Sequence, residues 1–255
     1  MERVRAKKHL GQHFLKDENI ALKIVEALDI SRLKTVLEVG PGTGVLTKHL
    51  IKGQDIKFQA LDVDRDSVKY LKEVYPDHED QFLLSDFLKA DLNAHDLPIG
   101  VIGNFPYNIS SQLFFKIWDF RNEVSEVVCM IQKEVADRIV AKEGNKTYGI
   151  LSVLLQAFYE IEYLFTVPPQ VFSPPPRVQS AVIRLKRNDK SELGCDAKLF
   201  KAVVKAGFGK RRKTLRNALK DLALQIENTS DEVFDKRAEQ LSVQDFIDLT
   251  NRISS

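Results

Sequence analysis

Cysteine is scarce in this chain. Two occur in 255 residues, Cys129 and Cys195, far apart and without a CxxC pair or a histidine at metal-ligand spacing. That excludes a disulfide framework, leaves no zinc pattern, so that no metal site is expected, and fits a reducing cytoplasm. Long apolar runs are missing as well. The longest, around Ile150 to Tyr159, is too short to cross a bilayer, and the basic N-terminus (Arg3, Arg5, Lys7, Lys8) has no apolar signal core behind it. A soluble cytoplasmic protein with no membrane partner is expected. Glycine (12) and proline (9) are not enriched, and 44% hydrophobic with 29% charged residues suits one large or two modest globular domains.

Acidic residues are missing from one place. The net charge is only +2, yet residues 197–220 hold nine Lys or Arg and no Asp or Glu, whereas residues 221–248 hold eight acids against Lys236 and Arg237. A polyanion would feel the first segment strongly.

The patterning that is present alternates between two periods. Residues 17–28 carry Ile20, Ile24, Val25 and Leu28 at helical spacing, with Asp17 as N-cap. Short apolar runs bounded by polar turns follow at 35–40, 56–63, 81–86, 99–104 and 126–132, with helical patterns between most of them, as at 43–52 and 65–75. Strands alternating with helices predict a parallel sheet of βαβ units, whose ligand sits at the carboxyl ends of the strands. A helix at 148–159, a proline-rich stretch and a last strand at 180–185 would close the sheet. Beyond a polar linker only short helices are expected, so the domains are placed at 1–186 and 187–255.

Chemistry gathers at the predicted strand ends. "LEVGPGTGVL" (37–46) runs from a strand into a turn with glycines at 40, 42 and 44, which lets the backbone approach a nucleotide closely. It misses the Gly-x-Gly-x-x-Gly spacing of dinucleotide sites and resembles the E-x-G-x-G-x-G loop of class I methyltransferases, whose ligand is S-adenosyl-L-methionine. The alternative is a tight turn without ligand. Asp62 ends the next strand, placed to accept both ribose hydroxyl hydrogens, with Asp64 a rival for that role and either acid also a natural helix cap. Asp86 is similarly placed for an adenine amino group.

The fourth strand ends in "GNFPYNISSQ" (103–112). An exocyclic amine is a poor nucleophile, because its lone pair is delocalised into the ring. If the Asn104 side-chain carbonyl and the Phe105 backbone carbonyl accept its two hydrogens, the nitrogen can pyramidalise toward an incoming methyl. Pro106 would stiffen that carbonyl and Tyr107 would stack on the base. An Asn-Pro turn with two core aromatics is the plainer reading.

The motifs "GQHFL", "LEVGPGTG", "NFPYNIS", "VPPQVFSPPPRVQSAV" and "FGKRRKTLRNAL" occur in the order found in the rRNA adenine N6,N6-dimethyltransferases, and from about Lys7 to at least Leu219 the chain resembles that family's bacterial small-subunit branch. The resemblance implies a Rossmann-like class I methyltransferase domain with a small C-terminal all-α domain. It also implies S-adenosyl-L-methionine as cofactor and dimethylation of two adjacent adenosines near the 3′ end of 16S rRNA in the assembling 30S subunit. His13 and Leu15 would line the methionine and adenosine ends of the cofactor pocket, with Gly40 and Gly42 in its glycine loop, Asp62 at the ribose, Asp86 at the adenine and Asn104 at the reaction centre. Phe105, Pro106 and Tyr107 would complete that centre, and Phe172 would clamp the flipped adenine against Tyr107. The family more often has Leu or Ile at the position of Phe105, Asn at that of His13 and Glu at that of Asp62.

In the basic segment Lys210, Arg211, Arg212 and Lys213, with Arg216 and Lys220 one or more helical turns on, would track RNA phosphates, helped by a mobile arm of Arg3, Arg5, Lys7 and Lys8. The alternative is a solvated helix face. A monomer is expected. Two rival functions remain: an Erm-type enzyme acting on a 23S rRNA adenine, and a non-catalytic RNA-binding or assembly factor. The C-terminal region and "FSPPPRVQSAV" favour the small-subunit branch over the first, and the presence of Asn104, Pro106 and Tyr107 disfavours the second.

Overall fold

The computed structural model describes residues 4–51, 56–210, 212–222 and 231–254. The chain divides into two compact units, Met1–Ala136 with Ile161–Arg187, and Asp137–Glu160 with Asn188–Ser255.

In the first unit, β1 (Phe14–Leu15) leads into α1 (Glu18–Glu26), followed by β2 (Thr35–Val39), α2 (Thr47–Leu50), β3 (Lys57–Asp62), α3 (Arg65–Val74) and β4 (Phe82–Leu84). Then come β5 (Ile99–Asn104), α4 (Ser110–Asp119), β6 (Val124–Gln132) and the start of α5 (Lys133–Val140). After α6 (Ile150–Gln156), the strands β7 (Tyr159–Val167), β8 (Phe172–Ser173) and β9 (Ser180–Arg187) complete the strand set.

The seven-stranded sheet has the order β4-β3-β2-β5-β6-β9-β7. Strands β4, β3, β2, β5 and β6 pair in parallel, and β9 runs antiparallel to β6. All of β2 and residues 99–103 of β5 are buried, as a central parallel strand covered on both faces requires. From β2 the chain builds outward through β3 and β4, then returns to place β5 on the other side. A crevice opens at the carboxyl ends of β2 and β5, the topological switch point. Asp17 caps α1, accepting from the Ile20 N–H at 3.0 Å, and Ala21 and Ile24 of that helix are fully buried.

The strand at Ser180–Arg187 does not close the sheet as expected. It lies inside it, next to β7, which is the edge. Along β7 exposed Glu160 and Thr166 interleave with half-buried and buried residues, as suits an edge strand with one wet side. This strand follows the aliphatic run of α6 so closely that the change of period is hidden in sequence. The two-stranded ribbon β1–β8 was also not foreseen, since two residues per strand carry no periodicity.

The second unit holds α6, α7 (Ala197–Gly209), α8 (Leu215–Ala218) and α9 (Val243–Ser254). Asp196 caps α7 through the Leu199 N–H at 2.6 Å, and Phe208 stacks on Phe246 of α9 with ring centroids 5.9 Å apart. This division differs from a single boundary at 186/187. Residues 137–160 group with the C-terminal segment because Val153, Leu154 and Leu155 of α6 are fully buried and the helix packs against α7 and α9.

The basic cluster does not form the helix face expected of it. Helix α7 stops at Gly209, and Thr214 is extended (ψ 159°), so Lys210, Arg212 and Lys213 lie in the turn between α7 and α8. Arg211 lies outside the described residues. Among the described residues no helix is long and apolar enough to cross a membrane.

Candidate active site

The turn after β2 is left-handed at three glycines, with φ of 69° at Gly40, 55° at Gly42 and 82° at Gly44, a conformation that costs other residues roughly 1–2 kcal/mol each. Space at Gly42 is also closed: a Cβ there would stand 2.8 Å from the Phe14 ring. The Gly42 N–H donates to Asp62 Oδ2 at 3.3 Å, and the Asp64 N–H donates to Asp62 Oδ1 at 2.8 Å. Burial pushes the Asp62 carboxyl above its ordinary range, while these two N–H groups pull it back.

The two acids left open by the sequence take different jobs. Asp64 caps α3 through the Asp66 N–H at 3.0 Å, accepts from Gln12 Nε2 at 2.9 Å, and pairs with Lys7 Nζ at 2.5 Å. Asp62 instead lines the pocket. Asp86 accepts from the Leu88 N–H at 3.0 Å, and Lys89 Nζ stands 3.7 Å from its other oxygen.

At the end of β5, the Asn104 Nδ2 group donates to the His13 backbone carbonyl at 2.8 Å. The amide nitrogen is thus committed, and Oδ1 is the end left to accept a hydrogen bond. Phe105 sends its side chain into the core at 1% exposure, 5.9 Å from the Phe114 ring, a burial that contributes roughly 2–3 kcal/mol. The Tyr107 hydroxyl meets Ser180 Oγ at 2.5 Å, which holds the ring's plane, and burial raises the phenol's pKa. His13 Nδ1 lies 2.8 Å from the Pro174 carbonyl. A carbonyl only accepts, so Nδ1 carries the proton.

These strand ends line an open pocket of about 230 Å³. His13, Gly40, Gly42, Asp62, Asp86, Asn104, Phe105, Pro106 and Tyr107 all line it. Leu15 lines a smaller adjoining recess with Glu38, Gly40 and Asn104. Phe172 lines neither. It lies opposite Leu15 in the β1–β8 ribbon, 1% exposed and packed into the main core, because the ribbon turns that face inward. The ring beside Tyr107 is His13, 5.3 Å away and tilted by 31°.

Sequence reasoning passed over Gln12, Phe14, Leu88, Asn108 and Ile109, which also line the pocket. Gln12, Phe14 and Asn108 lie inside motifs already quoted and carried the signal. Glu38, the acid of the E-x-G-x-G-x-G pattern, was given no role of its own, and it is buried in β2. The Thr47 hydroxyl donates to Glu38 Oε2 at 2.8 Å, and burial pushes its carboxyl up to about 8.

Two expectations about cations change. Lys7 is not part of a mobile arm, since Nζ pairs with Asp64 at 2.5 Å and Asp66 at 2.7 Å; Arg3 lies outside the described residues. Arg216 is engaged by Asp235 at 2.8 Å, whereas Lys210, Arg212 and Lys213 are exposed. Among the described residues no group of three or more His, Cys, Asp or Glu side chains is arranged to hold a metal.

A mostly parallel sheet, a glycine turn over a buried carboxylate, and an Asn-Phe-Pro-Tyr strand end with its amide oxygen free suit methyl transfer to an adenine amine. The family model for ribosomal RNA adenine dimethylase matches residues 3–255. The chain belongs to this family. It is 58% identical over 256 residues to the ribosomal RNA small subunit methyltransferase A of Cytophaga hutchinsonii, covering 100% of this chain and 99% of that one. It is 54% identical over 258 residues to the protein of the same name from Bacteroides thetaiotaomicron, covering 99% and 96%. Among solved structures, a dimethyladenosine transferase from Plasmodium falciparum superposes with a TM-score of 0.77 at 25% identity, over 93% of this chain and 96% of that one. The 23S rRNA methyltransferase ErmE shares the fold with a TM-score of 0.65 at 23% identity, over 95% and 100%. The enzyme is thus an S-adenosylmethionine-dependent methyltransferase of Rossmann-like α/β architecture.

Proposed function

We propose that this enzyme dimethylates N6 of two adjacent adenosines in the 3′-terminal hairpin loop of 16S rRNA, as a cytoplasmic monomer acting on the assembling small subunit. The observation that carries the chemistry is the Asn104 amide, whose nitrogen is committed to the His13 carbonyl at 2.8 Å. Its fixed oxygen, with the Phe105 backbone carbonyl, accepts the two amine hydrogens of adenine and turns the nitrogen lone pair toward the methyl donor. S-adenosylmethionine supplies an electrophilic methyl group. Asp62 would accept from the cofactor's ribose hydroxyls and Asp86 from its adenine amino group, while Gly40 and Gly42 would let the backbone approach. Transfer would break the sulfonium's S–CH3 bond and leave the neutral thioether S-adenosylhomocysteine, and the cationic nitrogen would then give its proton to water without a strong base.

The second methylation begins with one amine hydrogen fewer. The base is therefore held mainly by stacking on Tyr107, whose hydroxyl is fixed by Ser180. His13, lying beside Tyr107, is the ring placed to complete that wall in this conformation. Phe172 takes the role only if the β1–β8 ribbon rearranges to release it. Lys210, Arg212 and Lys213 supply phosphate contacts. The small-subunit assignment rests on the relatives of that name, which match along the whole chain.

Incubation with 30S particles lacking the modification, and separately with 50S particles, using labelled S-adenosylmethionine tests this reading. Label is expected in two adjacent adenosines of 16S rRNA. Label in 23S rRNA, or in neither, overturns it.

A further inference from the structure

Five consecutive residues, Leu10 to Phe14, line the pocket, so this N-terminal strap is one wall of the space in which the cofactor is held. Its downstream end is pinned twice. Phe14 and Leu15 pair with Ser173 and Phe172 of β8, and His13 Nδ1 donates to the Pro174 carbonyl at 2.8 Å. The strap bends at Gly11, whose φ is 65° and where a Cβ would stand 2.9 Å from Asn108 Oδ1.

Its upstream end is held by charge. Lys7 Nζ lies 2.5 Å from Asp64 Oδ1 and 2.7 Å from Asp66 Oδ2. Gln12 closes the node, donating from Nε2 to Asp64 Oδ2 at 2.9 Å and accepting the Lys7 N–H at Oε1 at 2.8 Å. The Asp64 side chain is fully buried while that of Lys7 is one-third exposed, at 33%. Asp64 lies two residues past Asp62 and one past Val63, both of which line the pocket. The node thus ties the strap to the turn that carries the ribose acid.

We propose that Lys7, Gln12 and Asp64 form a latch that holds the N-terminal strap against the β3–α3 turn, making Lys7 a positioning residue that sets how long the cofactor stays. Lys7 lines no part of the pocket. It acts through Gln12 and through the strap between Leu10 and Phe14. The closing contact is an ion pair reachable by solvent, so it can open for cofactor exchange, and added salt weakens it. The proposal rests on the reading of this pocket as the cofactor site.

The binding measurements use the full chain without RNA, which removes any contribution of Lys7 to RNA binding. S-adenosylhomocysteine affinity and dissociation rate are measured by calorimetry and stopped flow for the native enzyme, Lys7→Met and Lys7→Arg, at low and high salt. Lys7→Met is expected to weaken binding and speed dissociation by roughly three- to tenfold, and to blunt the salt dependence. Lys7→Arg should restore most of both. In turnover assays on 30S particles, KM for S-adenosylmethionine should rise in Lys7→Met while kcat at saturating cofactor stays within about twofold, as expected for a change in cofactor binding alone. Unchanged affinity in Lys7→Met, a fall in kcat without a rise in KM, or failure of Lys7→Arg to rescue overturns the latch. Failure of the native enzyme to bind S-adenosylhomocysteine would instead overturn the cofactor reading.

Discussion

The pocket we propose for the cofactor in the first unit and the basic segment we propose for RNA in the second are built by different means. In the pocket, Asp62, Asn104, Tyr107 and His13 each have a defined partner within 3.3 Å, and glycines keep the approach clear. In the basic segment, Arg212 and Lys213 are exposed in a turn. A small ligand whose methyl must travel in line requires fixed atoms. A polyanion requires positive charge of about the right density. The first therefore marks the sequence as spacing, the second as composition.

Substitutions should separate the two. The largest effect on cofactor affinity is expected at Gly42→Ala, where a left-handed φ of 55° and the Phe14 ring at 2.8 Å both oppose a side chain; the backbone alone costs roughly 1–2 kcal/mol. Cofactor affinity measured by calorimetry should fall at least about tenfold, with RNA binding retained.

A smaller effect concerns Glu38. Burial holds its carboxyl at about 8 against an ordinary 4.5, so the folded chain binds this proton more tightly than the unfolded chain between those values. Stability from the neutral form is complete below pH 4.5 and is lost as pH rises toward 8. Thermal unfolding at pH 5 and pH 9 should therefore show a smaller alkaline loss in Glu38→Gln than in the native chain. An identical loss in both would mean that Glu38 titrates normally.

The mildest change is expected from Arg212→Glu with Lys213→Glu. Affinity for RNA should fall for all sequences alike, and the slope of log affinity against log salt should flatten by about 2, with cofactor affinity untouched. Unaltered RNA binding would leave that turn a solvated surface.

Much of the first unit was legible because the residues that line its pocket sit at strand ends. The runs ending at Gly40, Asp62, Asp86 and Asn104 could be recognised one by one, and a parallel sheet brings such ends together. Strand β7 was missed because it follows α6 after only two residues, which blurs the change of period. The inward turn of Phe172 was illegible because it depends on pairing with Leu15, more than 150 residues away in sequence. Lys7 looked like one more cation of a basic arm. Its partner Asp64 lies 57 residues on, and such a link leaves no local pattern. Residues 137–160 group with the C-terminal segment, which was not legible for a similar reason, since nothing in an aliphatic helix says which neighbour it will cover.

The central claim is that Asn104 aims the adenine amine. It is tested most directly by Asn104→Ala, with methyl transfer to unmodified 30S particles and S-adenosylhomocysteine binding measured on the same preparation. Transfer should fall by about 10²–10³-fold or more, while cofactor affinity changes only a few-fold. A variant that still transfers methyl groups at close to the native rate would contradict the account.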